Sequence, residues 1–456
     1  MGVLAVVLGA LLVGTLLQDS AGAATLATPS RSTTIALTSD ETHLVVVNRE
    51  ANSLSIIRVK DDQGNDVTEK LDEIAVNLEP RCVAVHPNDE VAYVTNGISG
   101  TVSVVDLLLG RVVQEVPSGT EPRGCALTPN GNLLYVANHT EGTVSIFFTG
   151  NPRDPIPVGA VPVGRNPTAL AITNDGDGDD TDETVFVTQI FAELNPDFVD
   201  PIFNGNGETR DLGKRGVVQA FLAGNANPLI TKITLSPLPD SGFTADRTAF
   251  CTKAVPPQPH SLIFCPNPDD PNDPAIEYNL QGEFPNQLLS ALIRGNRLYL
   301  PNIGAQPEPP QIFNANVQAL VYAVDTASTP PVEVVAEHVN LNQQIAVETA
   351  APPPSLDKTF GNDLVAIDAN LAGDTFLIVS RGGNQVFRAK LDPATGQLDI
   401  LNAGKTAVDC RVQTGNLPSG VAMRQDGTRG YANNEANFSV TSMNVDDGFC
   451  LTLQLD

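Results

Sequence analysis

The chain has 456 residues and carries 53 acidic against 26 basic side chains, a formal charge of −27. That charge repels phosphate backbones and anionic membrane surfaces, and it argues against nucleic acid as a partner. Hydrophobic residues make up 41%, enough for a core, while 37 glycines and 35 prolines are spread along the whole length rather than gathered in a linker. No long apolar run has a helical period, so composition and patterning together point to one large all-β unit.

Residues 2–17, GVLAVVLGALLVGTLL, form an apolar run followed by the small-residue triplet Ala21-Gly22-Ala23. This reads as a signal peptide over residues 1–23, although no Lys or Arg precedes it. The run is short for a membrane span. Export to the periplasm, cell surface or medium is expected, with no membrane span after cleavage and a monomeric product.

Residues 93–105, YVTNGISGTVSVV, return at 135–147 as YVANHTEGTVSIF. Pro80 and Pro122 are 42 residues apart and Pro122 and Pro167 are 45 apart, a period that suits four short strands with their turns. Each copy alternates apolar and polar residues and is broken by Pro-Asn or Asn-Gly turns. Fainter copies give approximate units at 30–79, 80–121, 122–166, 167–235, 285–349, 361–415 and 416–456, with 236–284 inserted between the fourth and fifth. A four-stranded sheet cannot bury both faces alone, so seven such units predict a closed ring.

Tyr93-Val94-Thr95-Asn96 and Tyr135-Val136-Ala137-Asn138, each followed by Gly-Thr-Val-Ser, resemble the YVTN family of exported β-propellers. The resemblance implies an all-β, seven-bladed propeller of four-stranded antiparallel blades over residues 24–456. In that architecture the connections between blades and those between second and third strands share one face. Arg81, Arg123 and the strand-ending Asn96, Asn138 and Asn302 then crowd one mouth of the central channel. Residues 190–215, 236–284, 303–316 and Pro352-Pro353-Pro354 decorate the same face, and long loops on one face of a rigid scaffold commonly carry binding.

Arg81, Arg123 and His139 are the candidate ligand-binding residues, with pairing of the arginines to nearby carboxylates as the alternative. The asparagine ending each second strand is read as structural, because its amide can bond nearby backbone and turn groups. No residue is assigned a catalytic role.

Residues 174–183, NDGDGDDTDE, place Asp175, Asp177 and Asp179 at alternating positions in a glycine-containing loop, with Asp182 and Glu183 beyond. Hard oxygen ligands at this spacing suit calcium, although Asp180 and Phe186 depart from the EF-hand pattern; the alternative is a solvated acidic turn. Among six cysteines, Cys251 and Cys265 lie within one Pro-rich insertion, and Cys82 and Cys125 fall on inner strands of adjacent blades with opposite parity. Cys410 and Cys450 pair only by elimination, and free thiols are the alternative throughout. With no C-x-x-C-H, the chain attaches no haem.

The leading expectation is therefore a binding or protein-interaction scaffold acting through its decorated mouth on a protein or small ligand. Two alternatives stand beside it. One is a lactonase-type hydrolase, since propellers resembling this one include lactonases. The other is the propeller part of a redox assembly of the di-haem peroxidase type.

Overall fold

The structure, a computed structural model, describes residues 25–199, 207–208, 210–245, 250–252, 282–307, 317–347, 360–400, 411–445 and 452–455. The proposed signal peptide, Cys265, Cys410, Cys450 and Pro352–Pro354 lie outside them, and the side chain of Cys251 is likewise not described.

Seven antiparallel sheets surround a channel, as the repeat predicts. Blade 2 shows the plan: inner strand Pro80–Val85, then Val91–Asn96, Thr101–Asp106 and outer strand Arg111–Pro117. Blade 1 starts its inner strand at Ile35–Leu37, blade 3 at Pro122–Leu127 and blade 4 at Pro167–Ile172. Blades 5, 6 and 7 follow with Leu292–Arg294, Leu364–Ala369 and Pro418–Met423. Each inner strand touches the next round the ring, and that of blade 7 touches that of blade 1. One α-helix, Leu341–Val347, occurs among the described residues, and no described helix is long and apolar enough to cross a membrane.

The inner strands are almost wholly buried, whereas the outer strands Asp66–Ala75 and Arg111–Pro117 alternate or face solvent. Side chains that alternate across each sheet meet those of the neighbouring blade. Seven apolar clusters result, one for each blade-to-blade junction. The repeated tyrosines add a polar tie at the same junctions. Tyr93 donates its hydroxyl to the Pro152 carbonyl at 2.8 Å, and the Tyr135 hydroxyl accepts from the Gly224 N–H at 2.8 Å, each reaching the next blade.

Ring closure follows a route that the repeat does not reveal. Among the described residues no strand from the start of the chain joins blade 7, whose four strands are all its own. Instead residues 25–34 run through the channel. Leu26 bonds Pro129 and Asn174 at the turns on the face opposite the mouth. Ser30–Arg31 then pair with Ile172 and Ala171 of blade 4. Ser32 bonds Leu170 and Cys125, Thr33 accepts from the Val83 N–H, and Thr34 accepts from the Val47 N–H.

Arg31 donates to the Asp368 carboxylate of blade 6 at 2.9 Å and to the Val421 carbonyl of blade 7 at 2.7 Å. Arg294 of blade 5 donates to the same carboxylate at 3.2 Å. One short segment therefore reaches blades 2, 3, 4, 6 and 7 before continuing into blade 1. At the rim, Asp66 of blade 1 pairs with Arg424 at 2.6 Å and also with Arg429, both of blade 7.

Candidate functional site at the channel mouth

The repeat builds the mouth twice over. First, the asparagine ending a second strand clamps its own hairpin: Asn96 Nδ2 donates to Thr101 and Ser103 at 3.1 and 2.8 Å, and Asn138 Nδ2 to Thr143 and Ser145 at 3.1 and 2.8 Å. Asn48 and Asn434 bond their third strands in the same way. This is a scaffold role, as expected. Asn302 departs from it and donates to the Leu300 carbonyl at 3.0 Å.

Second, the residue just before the inner strand is left-handed. Glu79, Glu121, Asn166, Asp363 and Leu417 have φ of 60°, 58°, 49°, 49° and 55°. Their carbonyls accept from Gly97, His139, Ile190, Arg381 and Glu435, each the residue that follows the end of a second strand. Such backbone costs about 1–3 kcal/mol per residue, so its recurrence around one rim marks a surface whose geometry is tightly specified.

These two devices hold a cavity floored by Ser32, Thr33 and Thr34 of the channel segment and walled by residues of the surrounding blades. Arg81 and Arg123, named from the sequence, both line it, joined by Arg49 and Arg381. Each is also ion-paired. Arg81 meets Glu79 at 2.6 Å, Arg49 meets Glu79 at 2.8 Å, Arg123 meets Glu121 at 2.6 Å and Arg381 meets Asp363 at 2.7 Å. Burial and the neighbouring Arg49 guanidinium push Arg81 below the ordinary arginine value. The Glu121 carboxyl is held below the usual carboxylate range: burial opposes this, but the Thr140 hydroxyl and Arg123 outweigh it.

His139 stands behind this rim rather than in the cavity, buried to 7% exposure. Its Nδ1 lies 3.2 Å from the Pro167 carbonyl, so Nδ1 carries the proton, and Nε2 accepts from Asn166 Nδ2 at 3.2 Å. Burial first, then Arg123, lowers its pKa, which keeps the ring neutral at pH 7.

Glu435 is the one carboxylate among the described residues lining the cavity, and its only ion pair there is a loose one to Arg49 at 3.8 Å. It was not singled out from the sequence, nor were Arg49 and Arg381. The signal was present: the residue after each strand-ending asparagine or its substitute is Arg49, Gly97, His139, Ile190, Ile303, Arg381 and Glu435 in turn. The repeated residue is scaffold, and of the unrepeated ones beside it Arg49, Arg381 and Glu435 line the cavity.

Cys82 and Cys125 form a disulfide between the inner strands of blades 2 and 3, with Cα atoms 5.9 Å apart, directly after Arg81 and one residue beyond Gly124. It ties together the two strands that present the cavity's adjacent arginines.

The acidic loop lies on the opposite face, between the first two strands of blade 4. Carboxylate oxygens of Asp175, Asp182 and Glu183 gather within 4.8 Å of one another. Asp177 and Asp179 do not join them; their oxygens accept from the Asp179 N–H at 2.6 Å and the Thr181 N–H at 2.9 Å. Asp180 turns away to bond Thr128, Asn130 and Asn132 of blade 3. Burial and the neighbouring acids raise both Asp182 and Glu183 above the usual carboxylate range.

A family model described as Lactonase, 7-bladed beta-propeller matches residues 15–108, which include all of blade 1 and the first three strands of blade 2. No curated protein matches the chain. Among solved structures it is similar to Kuenenia stuttgartiensis hydrazine synthase, at 16% identity and TM-score 0.59, covering 96% of this chain and 100% of that one. It is also similar to a putative 6-phosphogluconolactonase from Bacteroides uniformis, at 14% identity and TM-score 0.47, covering 84% of this chain and 85% of that one. The Pseudomonas aeruginosa periplasmic gluconolactonase PpgL follows at 14% identity and TM-score 0.48, covering 85% and 86%. At such identities the likeness is one of fold alone.

Proposed function

We propose that this chain is an exported propeller hydrolase that opens lactone rings at the channel mouth. The observation that carries the reading is the lactonase family match across blade 1 and most of blade 2, the blades that supply Arg49 and Arg81. It displaces the binding scaffold as the leading expectation, because no comparison supports a scaffold. The disulfide between blades 2 and 3 is compatible with an oxidising compartment.

Ring opening needs a water made nucleophilic and an oxygen that develops negative charge made comfortable. Glu435, loosely held, is the base that takes a proton from water. Arg81, whose charge lies in the field of Glu435, donates to the carbonyl oxygen as water adds. The ring C–O bond then breaks, and the proton on Glu435 passes to the leaving alkoxide, giving a hydroxy acid. His139 has its lone pair already engaged and serves to position Asn166 and the rim.

The test is hydrolysis of a lactone panel by purified protein, followed by proton release. Glu435→Gln is expected to lower kcat by about a hundredfold or more, in the range of lost general bases, with the fold unchanged by circular dichroism. Equal activity in Glu435→Gln and the parent would refute the assignment of the base; no turnover of any lactone would refute the hydrolase.

A further inference from the structure

The rim is not uniform, and its asymmetry bears on what it takes. In every blade one residue at or just before the start of the inner strand lines the mouth. Blades 1, 4 and 7 place Thr33, Thr168 and Ser419 there; blades 2 and 3 place Arg81 and Arg123; blades 5 and 6 place Leu289 and Val365. In a seven-membered ring, blade 6 lies across from the junction of blades 2 and 3, with blade 5 beside it. An apolar pair therefore faces the arginine pair across the cavity.

The next tier follows the division in part. Arg49, His139 and Glu435 belong to blades 1, 3 and 7, whereas Ile190 and Ile303 belong to blades 4 and 5. Two positions depart from the first division: Ile190 is apolar on blade 4, where the first position is Thr168, and Arg381 is charged on blade 6, where it is held by Asp363. The cavity lining carries four arginines against one glutamate; Glu79 and Glu121 pair with their arginines from outside the lining.

We propose that the ligand of this mouth is an amphipathic monoanion, and, resting on the hydrolase reading, that the substrate is a lactone bearing a carboxylate and a hydrocarbon substituent. The carboxylate meets Arg123, for which guanidinium geometry is suited. The hydrocarbon lies on Leu289 and Val365. A polyhydroxylated sugar lactone fits poorly, because hydroxyls laid against these two side chains lose water without gaining a partner.

Two measurements separate this inference from the hydrolase reading. Calorimetry on the purified chain uses cyclohexanecarboxylate, cyclohexanol and gluconate as inert probes. The carboxylate with the ring is expected to bind at least about tenfold more tightly than either the uncharged ring or the hydroxylated anion, one contact's worth of affinity in each case. Leu289→Asn, at a half-buried position, is expected to erase the advantage over gluconate while Leu289→Met keeps it. Arg123→Gln is expected to erase the advantage over cyclohexanol.

In the kinetic arm, an alkyl-substituted lactone carboxylate is compared with a gluconolactone. Preference for the gluconolactone overturns the ligand class and leaves the hydrolase standing. Tight binding of cyclohexanecarboxylate with no turnover of either lactone supports the ligand class and overturns the hydrolase. Equal binding of all three probes, or no effect of Leu289→Asn, overturns the inference.

Discussion

Asp368 is the point at which the channel segment is fastened, and its replacement by alanine is the most direct test of how the ring is held. Its carboxylate accepts from Arg31 at 2.9 Å, from Arg294 at 3.2 Å, and from the N–H groups of Ala369 and Met423 at 2.9 and 2.8 Å. The side chains of Arg31, Arg294 and Asp368 are 9%, 8% and 9% exposed. Removing one partner from a buried ion pair costs about 3–5 kcal/mol, because the charge left behind is unsolvated. Here two guanidiniums are left behind, so Asp368→Ala is expected to cost about 4 kcal/mol or more, roughly a thousandfold in the unfolding equilibrium.

Urea unfolding at pH 7 reads this as a lower midpoint with an unchanged slope. The Lys70–Glu73 pair, with side chains 49% and 42% exposed, is the control: Lys70→Ala is expected to cost less than about 1 kcal/mol. If Asp368→Ala behaves like Lys70→Ala, the channel segment is not a fastening and the account of ring closure is wrong.

Three other outcomes are expected. Replacing Cys82 and Cys125 with serine opens a loop of sequence separation 43 and should cost about 4 kcal/mol by the chain-entropy relation, measured by thermal melting; no change in melting would remove the disulfide from the stability account. Burial lowers His338 to about 4, so its 3.5 Å contact with Glu333 is made by a neutral imidazole. Because the folded His338 binds its proton more weakly than the unfolded one, its contribution is present above pH 6.5 and falls by about 3 kcal/mol as pH drops towards 4. Titration of unfolding stability should show that slope in the parent and lose it in His338→Gln.

Calcium is proposed at Asp175, Asp182 and Glu183. Both raised carboxyls contribute stability at low pH that is lost as pH rises through their folded values. A divalent cation should therefore raise the melting temperature at pH 7.5 more than at pH 4.5, and a chelator should reverse the rise. Melting that ignores calcium at both values would count against the site.

The architecture was legible because the repeat exposes it: Pro80, Pro122 and Pro167 set the period, and period-two alternation gives the strands. The disulfide was legible for the same reason, since parity on adjacent inner strands can be counted. Glu435 and Arg49 are hidden in the sequence because the asparagine before each recurs from blade to blade and they do not. The fastening at Asp368 was beyond the sequence. Its partners Arg31 and Arg294 are separated from it by 337 and 74 residues, and no period connects them. Asp177 and Asp179 each accept from their own loop backbone, since a short D-x-D run can satisfy its own backbone as readily as a metal.

The channel segment also sets an order of events. Ser30 to Thr34 find partners at Val47, Val83, Cys125, Leu170, Asp368 and Val421. A chain made from its amino end holds those first residues without their last partners until nearly all of it exists. Blades can condense with their neighbours during synthesis, but the axle cannot seat until the seventh blade arrives. The final step of folding thus belongs to the segment that precedes the first blade, at a loop length that makes it slow.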